Sequence, residues 1–305
     1  MKTVAIIGTT ASGKSDLAHN LARKSGAALL SMDSLSVYRG IDIASAKPAT
    51  GEREGLTYFG LDIANAGDRF GADDFAAEYA RAREFCEANG RDLIIVGGSS
   101  FYLKAIACGL SPIPPIDART ACAVDELLGD LAAAHARLSE IDPIYAARID
   151  ANDRYRIEKA LLIALASGVP PTRWFAENPP RPVLESVAIA EVVTDREVLR
   201  ERIGWRTKKM IAGGLIDEVE GLLKSVPRDA QAMKAIGIKE TIDFIDGAID
   251  LGGLEELITI HTAQLAKRQR TYNNGQFNRL ISMDINALEN WAIKWLELAK
   301  NKTVD

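Results

Sequence analysis

Short apolar runs that end in glycine or an acid alternate with stretches of helical periodicity along much of the chain. Thr3-Val4-Ala5-Ile6-Ile7 is a β-branched run stopped by Gly8, and Leu17 and Leu21 then fall at helical spacing within 15–24. A second strand is predicted over 28–32, delivering Asp33 at its end, and a third over 92–96, ending in Gly97-Gly98-Ser99-Ser100. Helices are predicted over 74–89, after a cap at Asp73, and over 101–108. A fourth strand over 187–193 precedes a helix whose capping box pairs Thr194 with Glu197, and which carries Arg206. A last strand over 279–285 leads into a helix with a second box, Asn286 and Glu289. Strands that alternate with helices bring their carboxyl ends to one edge of a parallel sheet, so the fold class is α/β with helices flanking the sheet.

Residues 111–182 break this rhythm. Pro112-Ile113-Pro114-Pro115 and Pro179-Pro180-Arg181-Pro182 bracket helical patterns without a strand signal. The reading is a core built from 1–110 and 183–305, with an all-helical domain inserted over 111–182.

Composition narrows the class. The 305 residues are 47% hydrophobic and 26% charged, enough for a sizeable core. No apolar run approaches the roughly 20 residues of a membrane helix, so a cytoplasmic protein with no membrane partner is expected; a monomer is expected as well. Cys86, Cys108 and Cys122 are too dispersed for a disulfide framework or metal knuckle, and His19, His135 and His261 are assigned no role. The net charge of −5 does not favour a nucleic-acid partner. Local basic clusters at Arg154/Arg156/Lys159, Lys208/Lys209 and Lys267/Arg268/Arg270 nevertheless allow one basic face.

Gly8-Thr9-Thr10-Ala11-Ser12-Gly13-Lys14-Ser15 fits G-x-x-x-x-G-K-[ST] between a strand and a helix, the context a phosphate loop requires. Its amides and the helix N-terminus gather positive potential, Lys14 adds a charge, and the Ser15 hydroxyl suits Mg²⁺. The loop identifies phosphate and leaves the reaction open. Leu93-Ile94-Ile95-Val96 ends in glycines where motor ATPases and switch GTPases place a metal-binding aspartate, which disfavours both. A small-molecule kinase using ATP stays possible. Asp33, at a strand end facing the loop, reads equally as a general base or as a turn cap.

These residues carry a resemblance. The loop, then Asp33-Ser34 with Val37-Tyr38-Arg39-Gly40-Ile41-Asp42-Ile43, Ala46-Lys47-Pro48, Ala72-Asp73-Asp74-Phe75, Val96-Gly97-Gly98-Ser99 with Tyr102, Gly109-Leu110-Ser111-Pro112, Asp142-Pro143, Asn152-Asp153, Gly237 with Glu240, and Ala266-Lys267-Arg268-Gln269 closely resemble the tRNA dimethylallyltransferase (tRNA isopentenyltransferase) family, in order and spacing. The resemblance spans nearly the whole chain. It implies a P-loop NTPase-like sheet with a tRNA-binding helical lobe. It also implies transfer of a dimethylallyl group from dimethylallyl diphosphate to the exocyclic amine of the adenine just 3′ of a tRNA anticodon, with Mg²⁺ as cofactor. Asp33 then matches the general base, Ser99 a threonine that contacts the diphosphate, and Arg206 a helix arginine that binds it. Without the resemblance, Arg206 reads as a solvated helix charge. The stretches implied to face tRNA are Asp33, Ser34, Leu35 and Ser36; Arg156 and Lys159; Lys234 and Lys239 around Gly237; and Lys267, Arg268 and Arg270.

Departures fall mostly on the RNA side. The family's His-His-Leu is replaced by Tyr58-Phe59-Gly60-Leu61, Thr-Trp-x-Arg by Thr271-Tyr272-Asn273-Asn274, and Gly-Tyr-Arg-Glu by Gly237-Ile238-Lys239-Glu240. They leave room for a related adenylate isopentenyltransferase acting on a free nucleotide. The inserted helical lobe argues for tRNA.

Overall fold

The computed structural model describes residues 1–184, 186–277 and 280–300 and divides the chain into two compact units, 1–107 with 183–305 and 108–182. In the first unit the strands are β1 (Thr3–Gly8), β2 (Ala28–Ser31), β3 (Tyr58–Phe59), β4 (Leu93–Gly97), β5 (Ala188–Val192) and β6 (Ile281–Met283). They form one sheet in the order β3-β2-β4-β1-β5-β6, and every neighbouring pair is parallel. The central strands are apolar at successive positions because both faces are covered. Ala5, Ile7, Leu30, Leu93 and Ile95 pack into one core, under the helices Ala72–Ala88 and Ser100–Cys108. Val4, Ile6, Leu29, Ile94 and Val96 pack into the other, closed by Leu17 and Leu21 of the helix Lys14–Ser25 and by Leu288, Ala292 and Leu296 of the helix Ile285–Lys300.

Several sequence expectations shift. β3 was not expected, because two residues carry no measurable periodicity. The last strand is shorter than predicted. Its predicted first residue, Arg279, lies outside the described residues, and Ile285 already begins the next helix. The cap before that helix is Asp284, whose Oδ1 accepts from Asn286 N and Ala287 N at 2.9 Å each, and not Asn286. Likewise Asp195, not Thr194, caps the helix Arg196–Ala212, accepting from Glu197 N at 2.8 Å. A carboxylate one residue nearer the helix reaches the free amides directly, which releases Thr194 to donate from Oγ1 to the Ser12 carbonyl. Asp74 reaches back to Gly71 N, so the helix Ala72–Ala88 starts earlier than the expected cap at Asp73.

The second unit contains the helices Ala118–Leu127, Leu131–Ile141, Pro143–Ala146, Arg154–Ser167 and Pro171–Glu177. Asp117, Asp130, Asp142 and Asp153 each cap one of them. Its own core contains Val124, Leu128, Leu138, Ile157 and Leu161. Asp142 is buried and also accepts from Thr172 N at 2.6 Å, tying two helices together. No helix among the described residues is long and apolar enough to cross a membrane.

Candidate active site

β1 ends in Gly8, and the chain then turns through Ala11 (φ 61°) and Gly13 (φ 89°) before the helix Lys14–Ser25 begins. No side chain caps that helix, so its first amides are available to an anion. Lys14 is buried and donates from Nζ to the Thr9 carbonyl at 3.0 Å. Burial lowers its pKa to about 8, an effect the Asp33 charge opposes and the Arg206 charge reinforces. Two arginines of the helix Arg196–Ala212 hold the loop from the other side. Arg206 Nη1 donates to Thr10 Oγ1 at 2.9 Å, and Arg202 Nη1 to the Ser12 carbonyl at 3.3 Å. Burial also lowers the Arg206 pKa, with Asp33 again opposing. Arg206 is therefore no solvated helix charge: it faces the loop together with Lys14 and Asp33.

Asp33 follows β2. Its Oδ1 accepts from Leu35 N at 2.8 Å and Ser36 N at 3.1 Å, so the turn-cap reading holds for one oxygen. Both bonds use Oδ1, which leaves Oδ2 for a substrate. Ser99, at the end of β4, fixes the same turn by accepting from Ser34 N on its Oγ at 3.1 Å. The glycines before it are set by close approach. A Cβ on Gly97 would overlap the Met32 carbonyl, and one on Gly98 would overlap the Gln269 side-chain amide.

In the sequence Gln269 stands out only as part of the motif Ala266-Lys267-Arg268-Gln269. Its Oε1 accepts from Thr10 N at 2.8 Å and its Nε2 donates to the Gly98 carbonyl at 3.1 Å, so one amide joins the loop to β4. The adjoining Gly98 was the available signal, since a glycine at a strand end marks a close neighbour. His261, assigned no role from the sequence, pairs through Nδ1 with buried Glu240 Oε1 at 2.6 Å. Glu240 Oε2 in turn accepts from Gly237 N at 2.7 Å.

One cavity of about 570 Å³ gathers these groups, with Lys14, Ser15, Asp33, Ser99, Arg206 and Gln269 among its lining. An apolar wall adds Ile203, Met210, Ile236, Ile258 and Leu265. No cluster of three or more His, Cys, Asp or Glu side chains suited to a metal occurs among the described residues. The exposed Ser15 hydroxyl is a hard oxygen donor in this cavity and fits a Mg²⁺, which is commonly held by few protein ligands together with phosphate and water.

The residues expected to face RNA are not equally available. Ser34 is exposed and Leu35 half-buried, but Ser36 is buried with its Oγ 3.0 Å from Ser31 Oγ, so its side chain belongs to the turn. Lys234 is exposed and lines the cavity, and Lys239 is exposed beyond it. Lys267 and Arg268 are exposed along one groove of the helix Leu251–Gln276. Arg270 points the other way and donates from Nη2 to the Thr194 carbonyl at 3.2 Å. Arg270 stands two positions on from Arg268, a step that turns to the opposite side of the helix, and its guanidinium is engaged by Thr194, so the basic run does not present all its charges together. In the second unit Arg156 is ion-paired with Asp153, and Lys159 Nζ lies 5.8 Å from the centre of the Tyr155 ring. Tyr58, in a departure from the family pattern, packs edge-on against His19 at 5.6 Å.

Residues 36–276 match the family model described as IPP transferase. The chain is 47% identical over 289 residues, 95% of its own length and 97% of the relative's, to a tRNA dimethylallyltransferase of Sulfurimonas denitrificans. It resembles the crystal structure of a full-length tRNA isopentenylpyrophosphate transferase from Bacillus halodurans with a TM-score of 0.69 and 28% identity, covering 98% of this chain and 99% of that one. The fold alone is also similar, with a TM-score of 0.81 at 24% identity, to a eukaryotic dimethylallyltransferase acting on tRNA, over 95% of this chain and 76% of that one.

Proposed function

Because the chain belongs to the IPP transferase family, we propose that it transfers the dimethylallyl group of dimethylallyl diphosphate to the exocyclic amine of the adenine next to the 3′ side of a tRNA anticodon, releasing diphosphate. The observation that supports this most is the sharing of one cavity by the Asp33 carboxylate and the cations Lys14 and Arg206, each of which feels the Asp33 charge.

The phosphate loop amides, Lys14 and Arg206 bind the diphosphate. As the bond between the allylic carbon and the diphosphate oxygen breaks, its electron pair stays on that oxygen, where these cations and amides stabilise the growing charge. The amine nitrogen forms the new C–N bond and gives its proton to Asp33 Oδ2. Ser99 holds the Asp33 turn through Ser34 N and presents its hydroxyl to the same cavity. The apolar wall excludes water that would otherwise capture the allyl group. Ser15 would be the protein donor to a Mg²⁺ in this cavity, which would supply further charge neutralisation to the leaving group.

Lys267, Arg268, Lys234 and Lys239 of the first unit contact tRNA phosphates, and the helical unit contributes Arg156 and Lys159. The protein works as a monomer in the cytoplasm. The test is incubation with dimethylallyl diphosphate and undermodified tRNA, followed by nucleoside mass spectrometry, with AMP as a parallel acceptor. Prenylated adenosine from tRNA alone is expected. Product from AMP alone would convert the reading to a free-nucleotide enzyme, and no prenylated product from either would overturn it.

A further inference from the structure

Resting on the acceptor reading above, the geometry points to Phe101 as the platform on which the acceptor adenine stacks once it leaves its own strand. Of the large hydrophobic side chains left exposed among the described residues, Phe101 is the aromatic one that also lines the reaction cavity. It is 47% exposed, although it sits in the first turn of a helix whose other apolar residues, Tyr102, Leu103 and Ile106, are buried. The exposed face of this ring, in the lining of the cavity, is available to a flat partner such as a base.

The ring is firmly backed. Phe101 leans against Tyr102, with centroids 6.4 Å apart, and Tyr102 stacks on buried Phe75 at 5.1 Å and 17°. It also lies two residues beyond Ser99, whose hydroxyl holds the turn that carries Asp33. A base lying on Phe101 is thus delivered to the part of the cavity where the carboxylate waits. The other aromatic side chains of the lining, Tyr58 and Tyr102, are packed against His19 and Phe75. Unstacking a base from a loop costs free energy, and an aromatic face in the pocket returns part of it without reading the base's identity. Asp33 is left to recognise the amine.

The test uses the full chain and an anticodon stem-loop RNA carrying 2-aminopurine at the acceptor position. This base has no amine at C6 and so reports contact without turnover. Stacking on a ring quenches its fluorescence. Leaving the loop raises this fluorescence and stacking on a ring lowers it again, so the wild-type complex is expected to be quenched relative to the complex of a variant that lacks the ring. Phe101→Ala should abolish that quenching and raise KM for the unlabelled stem-loop by about tenfold, the scale of one lost base–aromatic stack. Affinity for dimethylallyl diphosphate and the melting temperature should stay unchanged. Phe101→Trp should restore both quenching and KM, which a packing role would not allow. Quenching that survives Phe101→Ala, or KM within about twofold of wild type, would overturn the stacking assignment. A wild type that quenches the probe yet never prenylates the unlabelled RNA would instead refute the transferase reading and leave the stacking contact standing.

Discussion

Gln269 accepts the Thr10 backbone N–H at 2.8 Å, so the phosphate loop is shaped in part by a side chain from the helix Leu251–Gln276. Gln269→Ala would leave Thr10 N and the Gly98 carbonyl without these partners, at a cost of about 1–3 kcal/mol in unfolding free energy measured in urea. A loop displaced by a fraction of an ångström should also lower kcat/KM for the diphosphate substrate by about 10- to 100-fold. Gln269→Glu keeps an acceptor for Thr10 but turns a second acceptor toward the Gly98 carbonyl, so it should be no better than alanine. Wild-type kinetics in either variant would remove Gln269 from the loop's support.

The proposed reaction gives Asp33 two separable tasks, a turn held by Oδ1 and a proton taken by Oδ2. Asp33→Asn can still accept from Leu35 N and Ser36 N, preserving the turn, but cannot take a proton. Its kcat should fall by about 10²- to 10⁴-fold with tRNA affinity retained. Asp33→Ala loses the turn as well and should bind tRNA less well than the asparagine variant. If the asparagine variant turns over normally, Asp33 is not the base.

Lys14 makes pH act in opposite directions on folding and binding. Its pKa is lowered by burial to about 8 from an ordinary 10.5, so between those values the unfolded chain holds the proton and the free folded protein does not. Stability from this group therefore rises with pH across that window. Diphosphate binding needs the charged amine, and its affinity in the free protein should weaken as pH climbs through about 8. Isothermal titration with dimethylallyl diphosphate across that range checks the slope. Lys14→Met should bind weakly at every pH, and a wild-type affinity indifferent to pH would contradict the assignment.

The basic run on the helix Leu251–Gln276 should divide functionally as it divides in space. Lys267→Ala and Arg268→Ala should each weaken tRNA binding and lower the salt dependence by about one counterion. Arg270→Ala, which removes a bond to the Thr194 carbonyl, should leave that salt slope unchanged. Binding titrations at three or four salt concentrations separate them. Equal slopes for all three variants would show that Arg270 also reaches RNA.

The phosphate loop was legible because its glycines, lysine and serine are contiguous, and the sheet because its strands are buried on both faces. Asp33 and Ser99 stood at strand ends, where chain position alone brings them to one edge. Arg206 needed a resemblance, since one arginine on a charged helix has no local pattern to distinguish it. Gln269 and the Glu240–His261 pair escaped for a related reason: their partners lie far away in sequence, and an amide or a lone imidazole advertises nothing until its partner is placed. Charge counting could not see that Arg270 donates to the Thr194 carbonyl or that Arg156 is ion-paired with Asp153.

The first unit is assembled from both ends of the chain, with Thr10 and Gln269 separated by 259 positions. A ribosome makes the phosphate loop long before its clamp. During synthesis the helical unit emerges between them carrying its own core, while β1 waits for β5 and the helix Lys14–Ser25 for Leu288 and Ala292. The nascent loop gains its arginines only once Arg206 is made and its glutamine only once Gln269 is made. A chain stalled or cut before residue 269 should hold the phosphate-loop sequence and still fail to retain a diphosphate.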